Sequence, residues 1–156
     1  MADAFAEEVD KRLPQFKPRG MPQALVWSRQ VADGVFFFIH LAVAEGRDAF
    51  TVEIAANNLD QFPWKCLPGT LKELESAMKN ETWRFRLPKL YWSLEDEWWT
   101  FEIKSWIANE VQLEVQSKVS EAVKRICVYA VPFFEQNASA RGLRANLQAD
   151  RTRLLH

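Results

Sequence analysis

Apolar residues recur at three- and four-residue steps through AFAEEVDKRLPQF, where Phe5, Val9, Leu13 and Phe16 form one stripe. That period is a helix's, and Pro14 predicts where it stops. KPRGMP reads as a turn-rich connection, after which the period shortens to two. ALVWSRQV is the first predicted strand, and it runs into Asp33-Gly34, a dipeptide suited to the positive φ angles of a tight hairpin turn. VFFFIHLAVA is the second strand, Glu45 to Asp48 a second turn, and AFTVEIAAN the third strand. Connections this short join neighbours, so the three strands predict an antiparallel meander.

The same alternation sorts the faces. Val35, Phe37, Ile39, Leu41 and Val43 point one way, matched by Phe50, Val52 and Ile54 on the next strand. The other face receives Phe36, Phe38, His40, Thr51 and Glu53, with Ser28 and Gln30 available from the first strand. One face is therefore core, and the other is half-covered or open to a partner.

Residues 57–69 make a long connection holding two prolines, Phe62 and Trp64. Thr70 with Glu73 forms a capping box ahead of Leu71, Leu74 and Met78, which predicts a helix. WRFRL is a fourth strand with Trp83, Phe85 and Leu87 on one side and Arg84 and Arg86 on the other. PKLYWSLED turns the chain into a fifth, EWWTFEIK. The stretch over 110–116 alternates like a strand, yet Val111, Val115, Val119, Val123 and Cys127 recur every four residues. Its length decides for a helix, with Asn109 as the expected cap and Pro132 as the expected end or kink near Val131. The fold class is α+β: an antiparallel sheet of about five strands, a three-stranded meander plus a Trp-rich strand pair, packed against helices. Residues 1–137 form the expected domain and 138–156 a C-terminal helical tail spaced by Leu143, Leu147 and Leu154.

Composition narrows the function classes. In 156 residues, 48% are hydrophobic and 26% charged, the balance of a globular domain and too apolar for disorder. Lys+Arg number 20 against 21 Asp+Glu, so a net charge of −1 exerts no bulk attraction on nucleic acid or anionic lipid. The longest apolar run is VFFFIHLAVA, about half of the ~20 residues a membrane helix needs. The N-terminal MADAFAEEVDKRL carries acids where a signal peptide has a positive flank, so a cytoplasmic location is expected. Cys66 and Cys127 lack a CxxC spacing and read as a buried thiol pair of a reducing compartment. Isolated glycines offer no phosphate cradle, and two histidines exclude the common His-rich zinc sites. No metal or cofactor is expected.

Four groups of residues invite a role. His40 and Glu53 share a face, and a carboxylate that orients an imidazole readies it for general base work; the competing reading is a hydrogen-bonded polar patch. Arg84 and Arg86, with Trp83, Tyr91 and Trp92 around them, suit an anionic group or a single-stranded nucleic acid, although Thr100 and Glu102 offer cross-strand partners. Tyr91 to Trp99 mixes rings with Glu95, Asp96 and Glu97. Those adjacent acids diverge at a turn, whereas Trp92 and Trp98 suit an interface. Phe36 and Phe38 could mate with a second copy in a homodimer, or lie beneath the last helix or the Phe62–Trp64 loop.

Trp27-Ser28-Arg29, Phe50 to Ala55, Trp98-Trp99 and Val131 to Phe134, taken with the element order, resemble small bacterial α+β domain families. Some of those families are immunity-protein-like. The resemblance implies a non-enzymatic protein that binds another protein, and carries no site residue with it. The leading expectation is a cytoplasmic, non-catalytic interaction module that contacts its partner through Arg84, Arg86, Tyr91, Trp92 and Trp98. The rival is a small-molecule binder or enzyme using His40 and Glu53 in a pocket between sheet and helices, and single-stranded nucleic-acid binding is the weaker third.

Overall fold

A computed structural model describes residues 1–19, 25–31, 35–46, 48–57, 60–64, 82–91, 98–101 and 108–136. Helix α1 (Ala2–Arg12) buries Phe5 and Val9, and its stripe continues into buried Leu13 and Phe16 as predicted. The chain turns beyond Arg12, ahead of Pro14, whose ring and missing N–H suit no helix interior.

The sheet is antiparallel throughout, in the order β1 (Lys17–Pro18), β2 (Val26–Gln30), β3 (Phe36–Val43), β4 (Ala49–Asn57) and β5 (Trp83–Arg86). A sixth strand, β6 (Trp99–Thr100), also pairs with β4. Both tryptophan-bearing strands thus line one edge of β4: β5 opposite Glu53 to Ala56, β6 opposite Ala49 and Phe50. This corrects the cross-strand partners expected for Arg84 and Arg86, which face Ala55 and Glu53 rather than Thr100. Part of the connection read as a pure turn, Lys17–Pro18, is a two-residue edge strand, where a proline is tolerated because its missing N–H faces no neighbour.

Helix α2 (Ala108–Arg125) resolves the ambiguity over 110–116 in favour of helix. Asn109 lies inside it rather than at its cap. Val119, Ala122, Val123, Ile126 and Ala130 are buried against the sheet, while Val111, Val115 and Cys127 are half-buried. Pro132 does not stop the helical path. A π-helical turn over Ile126–Ala130 precedes it, and helix α3 (Val131–Gln136) follows. An α-helical proline lacks the N–H for its i−4 carbonyl and collides with that group; the wider turn makes room.

The main core lies between α1, α2, α3 and one sheet face. Phe37 stacks on Phe134 at 4.5 Å, Phe5 tilts onto Trp27 at 5.3 Å, and Trp83 is fully buried beside Phe37. No helix among the described residues is long and apolar enough to cross a membrane. The Asp33-Gly34 turn, the helix predicted after Thr70, the Glu95–Glu97 turn and the division at residue 137 with its tail lie outside the described residues.

Candidate functional site

All nine residues of β4 are buried, so this strand is covered on both faces. Its alternation sends Phe50, Val52, Ile54 and Ala56 to the main core and Thr51, Glu53, Ala55 and Asn57 to the second face. Register then assembles the second face. His40 sits opposite Glu53 from β3, and Arg84 and Arg86 arrive from β5 opposite Ala55 and Glu53. Two constellations that were separate in sequence meet at one carboxylate.

His40 Nδ1 lies 2.7 Å from Glu53 Oε2, and Arg84 donates to the same oxygen from Nε at 2.9 Å and Nη2 at 2.5 Å. Glu53 is 2% exposed and Arg84 7%. Burial by itself pushes the Glu53 carboxyl up, but the His40 hydrogen bond and the Arg84 charge and hydrogen bonds outweigh it and hold the group below the usual carboxylate range. The carboxylate is therefore ionised and can only accept. The proton between them belongs to His40 Nδ1, which leaves Nε2 as the acceptor of the neutral ring. The Glu53 contact is the one hydrogen bond the His40 side chain makes among the described residues.

A strap, Asp60 to Trp64, lies over this triad. Asn57 Nδ2 donates to the Gln61 carbonyl at 2.7 Å, and Arg19 pairs with Asp60 while also donating to Ser28. Phe62 enters a small second core with Val26, Phe38 and Ala55. Its ring meets Phe38 edge-on at 5.8 Å and His40 at 5.1 Å. Trp64 packs against His40 at 5.2 Å and Phe62 at 4.6 Å, and Arg84 Nη1 donates to its carbonyl at 2.9 Å. Trp64 nonetheless remains 43% exposed. The Arg84 guanidinium lies 5.2 Å from the Phe62 ring centroid and 6.0 Å from that of Trp64; Arg86, two residues on, lies 5.1 Å from Trp98. Guanidinium groups and rings thus alternate across the face.

The sequence-predicted residues divide accordingly. His40, Glu53 and Arg84 come together, but Arg84 is consumed internally and offers no surface contact. Arg86 and Trp98 are half-buried neighbours on the same face. Tyr91 stands apart, near the helices: its ring lies 4.9 Å from Tyr129, and its hydroxyl accepts from Arg125 at 2.8 Å. Trp92 is outside the described residues. Phe38 is 1% exposed beneath Phe62, which removes it from any surface offered to a second copy, while Phe36 is half-buried with Arg19 near its ring. Trp64, exposed beside the triad, was not among the sequence candidates. Its signal was an apolar pair, Phe62 and Trp64, in an otherwise polar, proline-bearing connection.

No side-chain hydroxyl or thiol hydrogen-bonds His40 among the described residues. Cys127 is a free, half-buried thiol whose pKa is pushed up by burial, so it stays protonated and a poor nucleophile. Cys66 lies outside the described residues. Among the described residues no three His, Cys, Asp or Glu side chains gather as a metal-binding group. No protein-family model, curated protein or solved structure matches the chain.

Proposed function

We propose that the chain is a non-catalytic protein-interaction module of the cytoplasm, and that its recognition surface is the second face of the sheet around Trp64. One observation carries this reading: Trp64, a residue 43% exposed, is fixed by two rings packed on its indole and by a hydrogen bond from a buried arginine to its backbone carbonyl. A ring held in place before binding loses little conformational freedom on capture, and tryptophan is the residue type most enriched among interface hot spots. Arg86 and Trp98 extend the surface along the same face. The resemblance to immunity-protein-like domains supports the same class of partner, a protein.

The test is affinity capture from cells of the source organism, quantified by mass spectrometry. Wild-type bait enriches a specific protein, and Trp64→Ala and Trp98→Ala baits lose it while keeping the wild-type circular dichroism spectrum. Equal enrichment by both variants, or none by wild type, refutes the proposal.

The His40–Glu53 contact favours a second reading, a small-molecule site. A carboxylate-oriented imidazole with Nε2 as acceptor can take a ligand's N–H or O–H. Under this reading some metabolite raises the melting temperature of wild type and not of His40→Ala. A broad metabolite set without a shift leaves the interaction module alone.

A further inference from the structure

The strap is attached to the sheet through charge. Arg84 touches both the Trp64 carbonyl and the Glu53 carboxylate, and His40 touches both the strap rings and the same carboxylate. Among the described residues, the polar contacts of the Trp64 end with the sheet therefore converge on a single buried oxygen, Glu53 Oε2, while Phe62 adds its apolar packing in the second core. We propose that Asp60–Trp64 is a charge-latched cover: Glu53 holds it closed through Arg84 and His40, and loss of the Glu53 charge lifts its Trp64 end away from the sheet.

The consequence follows from the charges around the site. Among the described residues, the charged or titratable groups facing Glu53 are His40 from β3 and Arg84 and Arg86 from β5, while the strap itself carries Asp60, paired with Arg19 ahead of β2. Neutralising Glu53 leaves Arg84 with no anionic partner among those residues. A guanidinium buried without one is strongly driven towards water. β4 closes the opposite face with the main core, and the Phe62 and Trp64 rings of the strap lie against the Arg84 guanidinium, so its movement towards water displaces the strap. The Asp60 end keeps its own attachments, the Arg19 pair and the Asn57 bond to Gln61, so the cover hinges at that end. Opening would expose Phe62 and the His40 ring, and would dismantle the alternation of rings and guanidinium groups. The cover is a property of the free chain and needs no partner, so it stands or falls apart from the proposed function.

The test is 19F NMR on protein labelled with 5-fluorotryptophan, with the Trp64 resonance assigned by Trp64→Phe. Trp83 and Trp99, both buried, report whether the main core is intact. At neutral pH, Glu53→Gln should move the Trp64 resonance towards that of the free amino acid while Trp83 and Trp99 stay in place. Wild type should show the same movement on acidification, with Trp64 changing ahead of the core resonances. A folded Glu53→Gln protein with an unmoved Trp64 overturns the proposal. If Glu53→Gln proves unfolded, the wild-type titration decides: Trp64, Trp83 and Trp99 moving in one shared transition overturns it equally.

Discussion

Glu53 accepts hydrogen bonds from His40 and Arg84 through one oxygen while almost fully buried, and stability should depend on its charge. Its folded pKa lies below the ordinary value, so on acidification the unfolded chain takes up the proton first. The stabilisation is complete above the unfolded value, about 4.3 for Glu, and is lost as pH falls through the lower folded value. Urea unfolding at pH 7 and pH 3 should therefore show a larger drop in wild-type stability than in Glu53→Gln, because all other carboxylates contribute to both. Equal drops would contradict the assignment. The His40–Glu53 pair was legible because two alternating strands joined by a short turn fix their own register. Arg84 was not, because its place depends on which residues of β4 meet β5 after the connection over 58–82, and side-chain period carries no information on that pairing.

At the scale of elements, the second face is organised by the end of β4. Asn57 donates to the Gln61 carbonyl, where the strap begins, and accepts from Thr82 at 3.0 Å, just before β5. Asn57→Ala removes both hydrogen bonds and should cost about 1–3 kcal/mol by urea unfolding. Gln61→Ala keeps the carbonyl and should stay within about 0.5 kcal/mol. Equal effects would place the strap's attachment elsewhere. Long periodic elements were readable: α1, β2, β3, β4 and the helix beyond Ala108 stand where their apolar spacing put them. Lys17–Pro18 was not, since two residues hold no period. Pro132 was read as an end or a kink near Val131 because an α-helix interior accommodates proline poorly; the chain takes the π-helical turn and continues. The packing of Phe134 against Phe16 and Phe37 is the tertiary gain that sets the helical path beyond it.

Across the whole molecule the aromatic residues divide between two jobs. Trp83, Phe37 and Phe134 fill the main core, whereas Trp64 and Tyr129, 43% and 40% exposed, remain at the surface. Phe37→Ala should cost about 3–5 kcal/mol, the usual result of emptying a close-packed site. Trp64→Ala should cost about 1 kcal/mol or less, comparable to one aromatic pair contact. Calorimetry that gave the two substitutions similar losses would make Trp64 a core residue. Composition showed that rings were plentiful, and pattern showed that one sheet face was not plain core. Neither could say which ring stays outside, because that follows from how the strap folds over Phe38.

The most direct measurement is photocrosslinking in the source cells, with p-benzoylphenylalanine placed at Trp64 in one strain and at Leu113, 65% exposed on α2, in another. A recognition surface on the second sheet face predicts one discrete protein adduct from position 64 and none from position 113. No adduct at 64, or the same adducts from both positions, would contradict it.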